Sequence, residues 1–357
     1  MRSFVYDALP GRIVFGAGAR HSTATEVAAL GCQKVFVIAG SNEATIAEEL
    51  AGQLGTRLAA THIGVRQHVP EALAAEARAE AVRAGADGVV CIGGGSATGL
   101  AKAVAVETGL PIIAIPTTYS GSEMTPVYGL TGEHKKTGRD LRALPRVVLY
   151  DPELTVGLPA AVSASSGFNA LAHCVEALWS RGANPVTGLQ AEEAIRALAS
   201  SLPRVVAAPG DLEARSDALY GAYLAGGALA VAGTALHHKA CHVLGGTWSL
   251  VHGEVNAVLL PYVVAYNAPA VPAVIARVGT ALGLASNGDA AGALFDLARE
   301  LGAPASLAEL GLPADVLEVA AERIVEETGG SNPRPVDVAS VLSMLQQAYA
   351  GTRPPAG

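Results

Sequence analysis

Histidines gather in the second half of the chain at spacings that suit one face of a helix. His238 and His242 are four residues apart, and His252 follows ten residues later. Asn169 and His173 show the same spacing of four. Because residues four apart on a helix lie one above the other, each of the two pairs is predicted to present its side chains together.

This set of histidines has one structural and two functional interpretations. A single histidine on an alanine-rich helix is more often packed in the core than active. Clustered imidazoles either bind a metal ion or exchange protons near neutral pH. The clustering favours a functional interpretation, and the candidate catalytic residues are His173, His238, His242 and His252.

A glycine-rich turn provides the second candidate site. Gly94, Gly95 and Ser96 follow an apolar run predicted to be a strand and precede a predicted helix. Glycines at such a turn let backbone N–H groups approach a phosphate, and the helix N-terminus favours negative charge. The spacing is not the GxGxxG dinucleotide motif, so a tight turn that faces solvent is the alternative.

A loop rich in hydroxyl side chains follows the next predicted strand, over residues 117–125. Ligands bind at the carboxyl ends of strands in open α/β sheets, so two such segments favour a dinucleotide over an ordinary surface turn. The expected contacts are Gly94, Gly95, Ser96, Thr117, Thr118 and Ser122. An earlier strand ends in Gly40, Ser41 and Asn42 without an acidic residue to hold a ribose 2′-hydroxyl, which leaves NADH and NADPH both open.

The elements that must position these groups divide the chain into two domains. Apolar runs such as 34–40, 88–92 and 111–116 alternate with helical stretches rich in alanine and glutamate. Strands separated by helices imply right-handed crossovers and a doubly wound parallel sheet of the Rossmann-like kind. We therefore predict an α/β domain over 1–155 and an all-α domain over 156–357, with the site in the cleft between them.

Composition excludes several classes of protein. The 357 residues carry a net charge of −8, which argues against general binding to nucleic acid or to an anionic membrane. No apolar run is long enough to span a bilayer, and no signal peptide opens the chain. Four scattered cysteines form no CxxC pair, which favours a reducing, cytoplasmic location.

Taken in order, these motifs resemble the iron-containing alcohol dehydrogenase superfamily. Its members carry GGGS at the phosphate turn, PTT…GSE in the following loop, and histidines at matching positions of the helical domain. The match runs from about Phe15 to Asn267, and segments 118–126, 135–140 and 237–246 are similar to the maleylacetate reductases within the superfamily. The resemblance implies an α/β domain followed by an all-α domain, as in dehydroquinate synthase.

The resemblance also implies a reaction, the reduction of the carbon–carbon double bond of maleylacetate to 3-oxoadipate by NADH or NADPH during breakdown of aromatic compounds. Hydride transfer to the carbon β to the ketone leaves an enolate, which imidazoles, first of all His242 and His173, would stabilise and protonate. The substrate is a dianion and calls for cationic partners.

The cationic candidates lie in two segments. The resemblance implies that Lys136 lies near the nicotinamide ribose, whereas Arg139 and Lys239, with Asn169, are left as substrate contacts. The basic segment around Lys136 has a plainer interpretation as a solvated charged hairpin.

One departure from the superfamily bears on the metal. Metal-binding members use an aspartate and three histidines, at the positions of Asn169, His173, His238 and His252 here. A neutral carboxamide is a much weaker ligand than a carboxylate, so we expect no bound metal. The alternatives are a metal-dependent alcohol or polyol dehydrogenase and a non-catalytic nucleotide-binding subunit, which would not need the histidines. A homodimer is expected from the family and from the frequency of two-fold oligomers.

Overall fold

The computed structural model describes residues 4–9, 11–67, 69–132, 135–285 and 288–355, with the backbone alone at Lys135 and Lys136. The chain divides into two compact units, Ala8–Leu158 and a second unit that begins at Pro159. Residues 4–7, which the sequence assigned to the α/β domain, belong to the second unit. The division thus falls three residues beyond the predicted boundary of 155/156.

The first unit contains eight strands within its described residues. In chain order they are β1 (Arg12–Phe15), β2 (Val35–Ala39), β3 (Leu58–Ile63), β4 (Gly88–Gly93), β5 (Ile112–Pro116), β6 (Val127–Thr131), β7 (Lys135–Arg139) and β8 (Val147–Tyr150). Six of them form a parallel sheet in the order β1-β8-β5-β4-β2-β3. The other two, β6 and β7, form an antiparallel hairpin.

Both faces of the parallel sheet are covered, as a doubly wound fold requires. The accompanying helices are α1 (Thr23–Ala29), α2 (Ala44–Leu54), α3 (Glu71–Arg83) and α4 (Gly95–Thr108). Val35 and Val37 of β2 pack in a core with residues of α1 and α2, while Phe36 and Ile38, which point to the opposite face, are equally buried. Continuous apolar strands are what a sheet buried on both faces demands.

The order of the strands creates a switch point between β2 and β4. From β2 the chain moves outward to β3, then returns to place β4 on the other side of β2. The ends of β4 and β5 are in register, with Gly93 opposite Pro116. In open α/β sheets ligands bind in the crevice at such a reversal, and the glycine-rich turn lies there.

The second unit is helical throughout its described residues. Its helices are α5 (Ala160–Ala177), α6 (Pro185–Ala207), α7 (Leu212–Ala232), α8 (Leu236–Trp248), α9 (His252–Asn267), α10 (Pro272–Ala281), α11 (Ala290–Glu300), α12 (Leu317–Thr328) and α13 (Val338–Ala350). Helix α5 packs against α6, α7 and α9, and α8 packs against α9 and α12. This arrangement brings α5, α8 and α9, which carry the candidate histidines, to one place.

The predicted fold class is confirmed: a parallel α/β unit precedes a helical unit. Strand β3 was not predicted, because this edge strand has half-exposed residues and His62 and therefore no apolar run. No single helix among the described residues has the length and apolar character of a membrane span, although α7 and α8 meet the test together as a pair bent by 100°. All four cysteines are free and buried.

Candidate active site

The glycine turn, residues 93–96, joins β4 to the N-terminus of α4. Gly93 has φ of +140°, a conformation that side chains rarely adopt. A Cβ atom at Gly94 would lie 3.0 Å from Cγ2 of Thr118, so the glycine lets the neighbouring loop approach closely. The first N–H groups of a helix have no acceptor within that helix, and the fourteen-residue α4 begins two residues after the last residue of β4.

A cavity of about 410 Å³ opens beside this turn. Four of the predicted dinucleotide contacts line it, namely Gly94, Gly95, Ser96 and Thr118. The other lining residues are Gly40, Ser41, Asn42, Glu43, Val65, Gln67, Gly93 and Ala97. Backbone N–H groups, a positive helix end and a concave surface fit the pyrophosphate of a dinucleotide.

The two remaining predicted contacts, Thr117 and Ser122, do not line the cavity. Instead they form hydrogen bonds with residues that stabilise the groups around it. The hydroxyl of Thr117 is buried and donates to Oε1 of Glu43 at 3.2 Å. The sequence analysis found no acidic group after β2. Glu43, one residue beyond the segment it considered, lines the cavity because a 3₁₀ turn over Ser41–Glu43 folds the carboxylate back.

A buried lysine, Lys102, forms hydrogen bonds that support the hydroxyl loop, which comprises residues 117–125. Nζ of Lys102, on α4, donates to the carbonyl of Ser122 at 2.6 Å, to the hydroxyl of Thr125 at 3.0 Å and to the carbonyl of Val127 at 2.8 Å. Burial lowers the pKa of Lys102 to about 7, against the opposing effect of Glu123. A lysine within an apolar helix was the signal for this role, and the sequence analysis missed it.

The basic segment forms the second strand of the β6–β7 hairpin. Arg139 pairs with Val127 and its side chain is exposed. The backbone of Lys136 pairs with Leu130, and the side chain of Lys136 lies outside the described part of the structure. The interpretation of this segment as a hairpin is therefore confirmed for its backbone.

The five histidines of the helical unit form a cluster. The rings of His173 on α5 and His238 on α8 are stacked, with centroids 4.7 Å apart and planes at 17°. The rings of His242 and His252 are stacked at 5.7 Å and 22°. Burial is the main cause that lowers the pKa of both His173 and His238, and the nearby His252 lowers both further. The four predicted catalytic histidines are thus brought together.

Burial divides this histidine cluster (His173, His237, His238, His242 and His252). His173, His237 and His238 are buried, His252 is half-buried and His242 is exposed. Burial lowers the pKa of His237 and of His238 to about 3, and that of His173 well below its usual value. The buried imidazoles are therefore neutral near pH 7. Within the described residues, Nδ1 of His173 and Nε2 of His238 have no hydrogen-bond partner.

A buried carboxylate, Glu176, orients His238. Oε2 of Glu176 accepts a hydrogen bond from Nδ1 of His238 at 2.7 Å, and its oxygens also accept from the backbone N–H groups of Ala235 and His237 at 3.0 and 2.7 Å. Burial raises the pKa of Glu176, while His237 and the backbone donors oppose that rise. The same carboxylate therefore caps α8 and fixes the proton of His238 on Nδ1.

The other candidates lie on the edge of this cluster. Asn169 is half-buried on α5, one turn before His173. Lys239 does not join the histidines through its ammonium, which pairs with Glu327 of α12 at 3.2 Å. His237, which was not among the predicted site residues, is fully buried, and its Nε2 donates to Oδ1 of Asn256 at 2.9 Å.

The donor set is poor for a divalent metal. No group of three or more His, Cys, Asp or Glu side chains in the described ranges is placed to hold an ion. The carboxylate nearest the histidines, Glu176, is occupied by His238 and by backbone N–H groups. What remains is a carboxamide and imidazoles, which supply no negative charge to balance the metal.

Comparison with known proteins identifies relatives along the whole chain. The family model described as iron-containing alcohol dehydrogenase matches residues 10–152, and the model of the C-terminal part of that family matches residues 163–349. A maleylacetate reductase of Burkholderia cepacia is 49% identical over 355 residues, which cover 99% of this chain and 100% of that protein.

Solved structures agree with this result. The crystal structure of maleylacetate reductase from Agrobacterium tumefaciens matches with a TM-score of 0.95 and 45% identity, over 99% of this chain and 100% of that one. The structure of a 1,3-propanediol oxidoreductase matches with a TM-score of 0.92 and 30% identity, over 98% and 100% of the two chains. The similarity is therefore greater to the reductase than to the diol enzyme.

Proposed function

Because the chain belongs to the iron-containing alcohol dehydrogenase family, we propose that it reduces the carbon–carbon double bond of maleylacetate to 3-oxoadipate with NADH or NADPH. The observation that carries this proposal is the 49% identity to a maleylacetate reductase over the full length of both proteins. The chain is thus an NAD(P)H-dependent oxidoreductase.

The glycine turn and its cavity bind the dinucleotide in this proposal. The N-terminus of α4 and the backbone of Gly94 and Gly95 hold the pyrophosphate, and Lys102 fixes the hydroxyl loop beside it. When bound, the reduced nicotinamide supplies the hydride. Addition of this hydride to the carbon β to the ketone shifts the π pair of the carbon–carbon double bond into a new bond between the α carbon and the carbonyl carbon, and the π pair of the carbonyl moves onto oxygen to give an enolate.

The histidine cluster stabilises and protonates that enolate. Nδ1 of His173 has no acceptor among the described residues, so a proton held there is available to the enolate oxygen. His238 directs its Nδ1 proton to Glu176, which leaves Nε2 as an acceptor. His242 is exposed and stacked on His252, and this pair supplies the proton that ends on carbon.

We assign a substrate carboxylate to Arg139, because it is exposed on β7 and a guanidinium pairs well with a carboxylate. We also propose a homodimer, which the position of β1 at an edge of the parallel sheet supports. Size-exclusion chromatography with light scattering tests the dimer, and a monomer at micromolar concentration contradicts it.

Turnover assays test the reaction directly. Nicotinamide absorbance should fall with maleylacetate and stay constant with a panel of simple ketones and aldehydes, and NAD⁺ or NADP⁺ should not be reduced by simple alcohols or diols. Oxidation of an alcohol without any reduction of maleylacetate would show that the chain is instead an alcohol or polyol dehydrogenase of the same family.

We further propose that catalysis here needs no resident metal. An alcohol dehydrogenase gains from a Lewis acid that lowers the pKa of the alcohol, whereas addition of hydride to a conjugated ketone needs less help. The carboxamide of Asn169 and the engaged carboxylate of Glu176 support this. Elemental analysis of protein purified without chelator checks it, and zinc or iron near one equivalent per chain contradicts it.

A further inference from the structure

The cavity at the switch point contains a charged group whose role does not follow from the glycine motif. Of the described residues that line this cavity, only Glu43 is charged. Its carboxylate lies over the glycine turn: a Cβ atom at Gly93 would be 3.7 Å from Oε2, and one at Gly40 would clash with it. The missing side chain at Gly40 thus makes room for the carboxylate of Glu43.

The carboxylate is held in this position rather than free to swing into solvent. Oε1 accepts the hydroxyl proton of Thr117 at 3.2 Å, and the backbone is fixed by the 3₁₀ turn that precedes α2. Oε2 is the oxygen nearer the turn. Glu43 therefore presents a fixed negative charge at the ends of β2 and β4, where the chain reverses direction.

We propose that Glu43 accepts a hydrogen bond from the adenosine ribose and makes the site prefer NADH to NADPH. This inference rests on the proposed function only in requiring a dinucleotide. Dinucleotide-binding folds place an acidic side chain on the ribose 2′-hydroxyl from a strand beside the phosphate turn, and β2 lies directly beside β4.

The charge difference between the two cofactors gives the preference its physical basis. A 2′-hydroxyl can donate to a carboxylate, whereas a 2′-phosphate brings negative charge against it, and like charges in contact disfavour binding. The cation that opposes this effect is Arg66, which is exposed between the lining residues Val65 and Gln67. An arginine at such a place accommodates a 2′-phosphate in enzymes that use NADPH.

Calorimetric titration of the full chain with NADH and with NADPH separates these effects. We expect the wild type to bind NADH about tenfold more tightly or better, and Glu43→Gln to raise the affinity for NADPH about tenfold while that for NADH changes less than about threefold. Glutamine keeps a hydrogen bond to Thr117 and removes only the charge. The matched control is Glu48→Gln on the exposed face of α2, which should change neither affinity.

The dependence of the two cofactor affinities on salt concentration provides a second test of the repulsion by Glu43. The preference of the wild type for NADH should weaken as ionic strength rises, because added ions screen the repulsion. In Glu43→Gln the repulsion is absent while the attraction of Arg66 for the 2′-phosphate is still screened, so its affinity for NADPH relative to NADH should not rise with ionic strength. An equal change in both affinities on Glu43→Gln overturns the inference, as does a wild type that prefers NADPH and loses that preference on Arg66→Ala. Maleylacetate is absent from the titration, so a failure of the proposed reaction leaves this result interpretable, and failure to bind either cofactor refutes both proposals.

Discussion

The glycine turn draws its binding groups from the backbone of one short stretch of chain, whereas the histidine cluster draws its groups from the side chains of three helices. Residues 93–96 end β4 and begin α4, so local sequence is enough to place their N–H groups. His173, His238 and His252 come from α5, α8 and α9, and their geometry exists only after those helices have packed.

This difference determines how strongly the geometry of each region depends on neighbouring side chains. Backbone N–H groups at a helix end keep their direction whatever the neighbouring side chains are. A buried imidazole has two nitrogens, and its proton lies on the one that a partner selects. The turn should therefore tolerate the loss of a supporting side chain better than the cluster does.

The strongest test of that comparison is Glu176→Gln. An amide places an N–H group where the carboxylate now accepts hydrogen bonds from His238 and from the backbone at the start of α8. We expect kcat for maleylacetate reduction to fall about a thousandfold, because His238 is left in the wrong tautomer. The free energy of unfolding should fall by about 1–3 kcal/mol, while the Kd for NADH stays near that of the wild type.

The control for this variant is Glu327→Gln, which removes a carboxylate of the same unit whose partner is Lys239. Exposed ion pairs contribute little, so its kcat and melting temperature should match those of the wild type. If Glu176→Gln lowers the melting temperature but leaves kcat unchanged, Glu176 only caps α8 and does not position His238.

A smaller effect is expected from His242→Ala and from His252→Ala. Both residues lie on the more exposed side of the cluster, so each substitution should leave the fold intact. Loss of a proton donor lowers kcat by about a hundredfold, with normal NADH binding measured by fluorescence. His21→Ala, at an exposed position of the α/β unit, is the control. Wild-type rates in both variants would show that these imidazoles are not part of the reaction.

The same contrast explains which parts of the site the sequence could predict. Gly94, Gly95 and Ser96 were identified because a strand, a turn and a helix start are local features. The spacing of four predicted that His173 shares a helix face with Asn169, and His238 with His242, but it did not predict which residues of other elements they contact. Those partners act across packed elements, and no local pattern reports such contacts.

Three residues show what was missed and why. Glu176 lies three positions after His173 in an apolar helix, where only the fold reveals that its carboxylate meets the start of α8. Lys102 lies on α4, after the glycine motif, and Glu43 lies after β2. Each is a single charged residue whose side chain forms a hydrogen bond with the loop that follows another strand. Lys239 was proposed as a substrate contact for its charge, and no pattern in the sequence indicated that its ammonium pairs with Glu327 of α12.

The smallest expected effect concerns the support of the hydroxyl loop, and it depends on pH. Burial lowers the pKa of Lys102 from 10.5 to about 7 in the folded chain. Between these two values the unfolded chain binds more protons, so stability rises with pH in that range. Relative to Lys102→Met, the wild type should therefore gain free energy of unfolding between about pH 7 and pH 10 in urea titrations.

The matched control is Lys34→Met, since the ammonium of Lys34 donates to the carbonyl of Thr56 at an exposed position. Its difference from the wild type should stay constant over the same range of pH. If the Lys102→Met difference is also constant, the acceptors at Ser122, Thr125 and Val127 keep the ammonium protonated after folding. The loop beside the glycine turn would then depend on a buried charge, as the histidine cluster depends on Glu176, and the two regions would differ less than their backbones suggest.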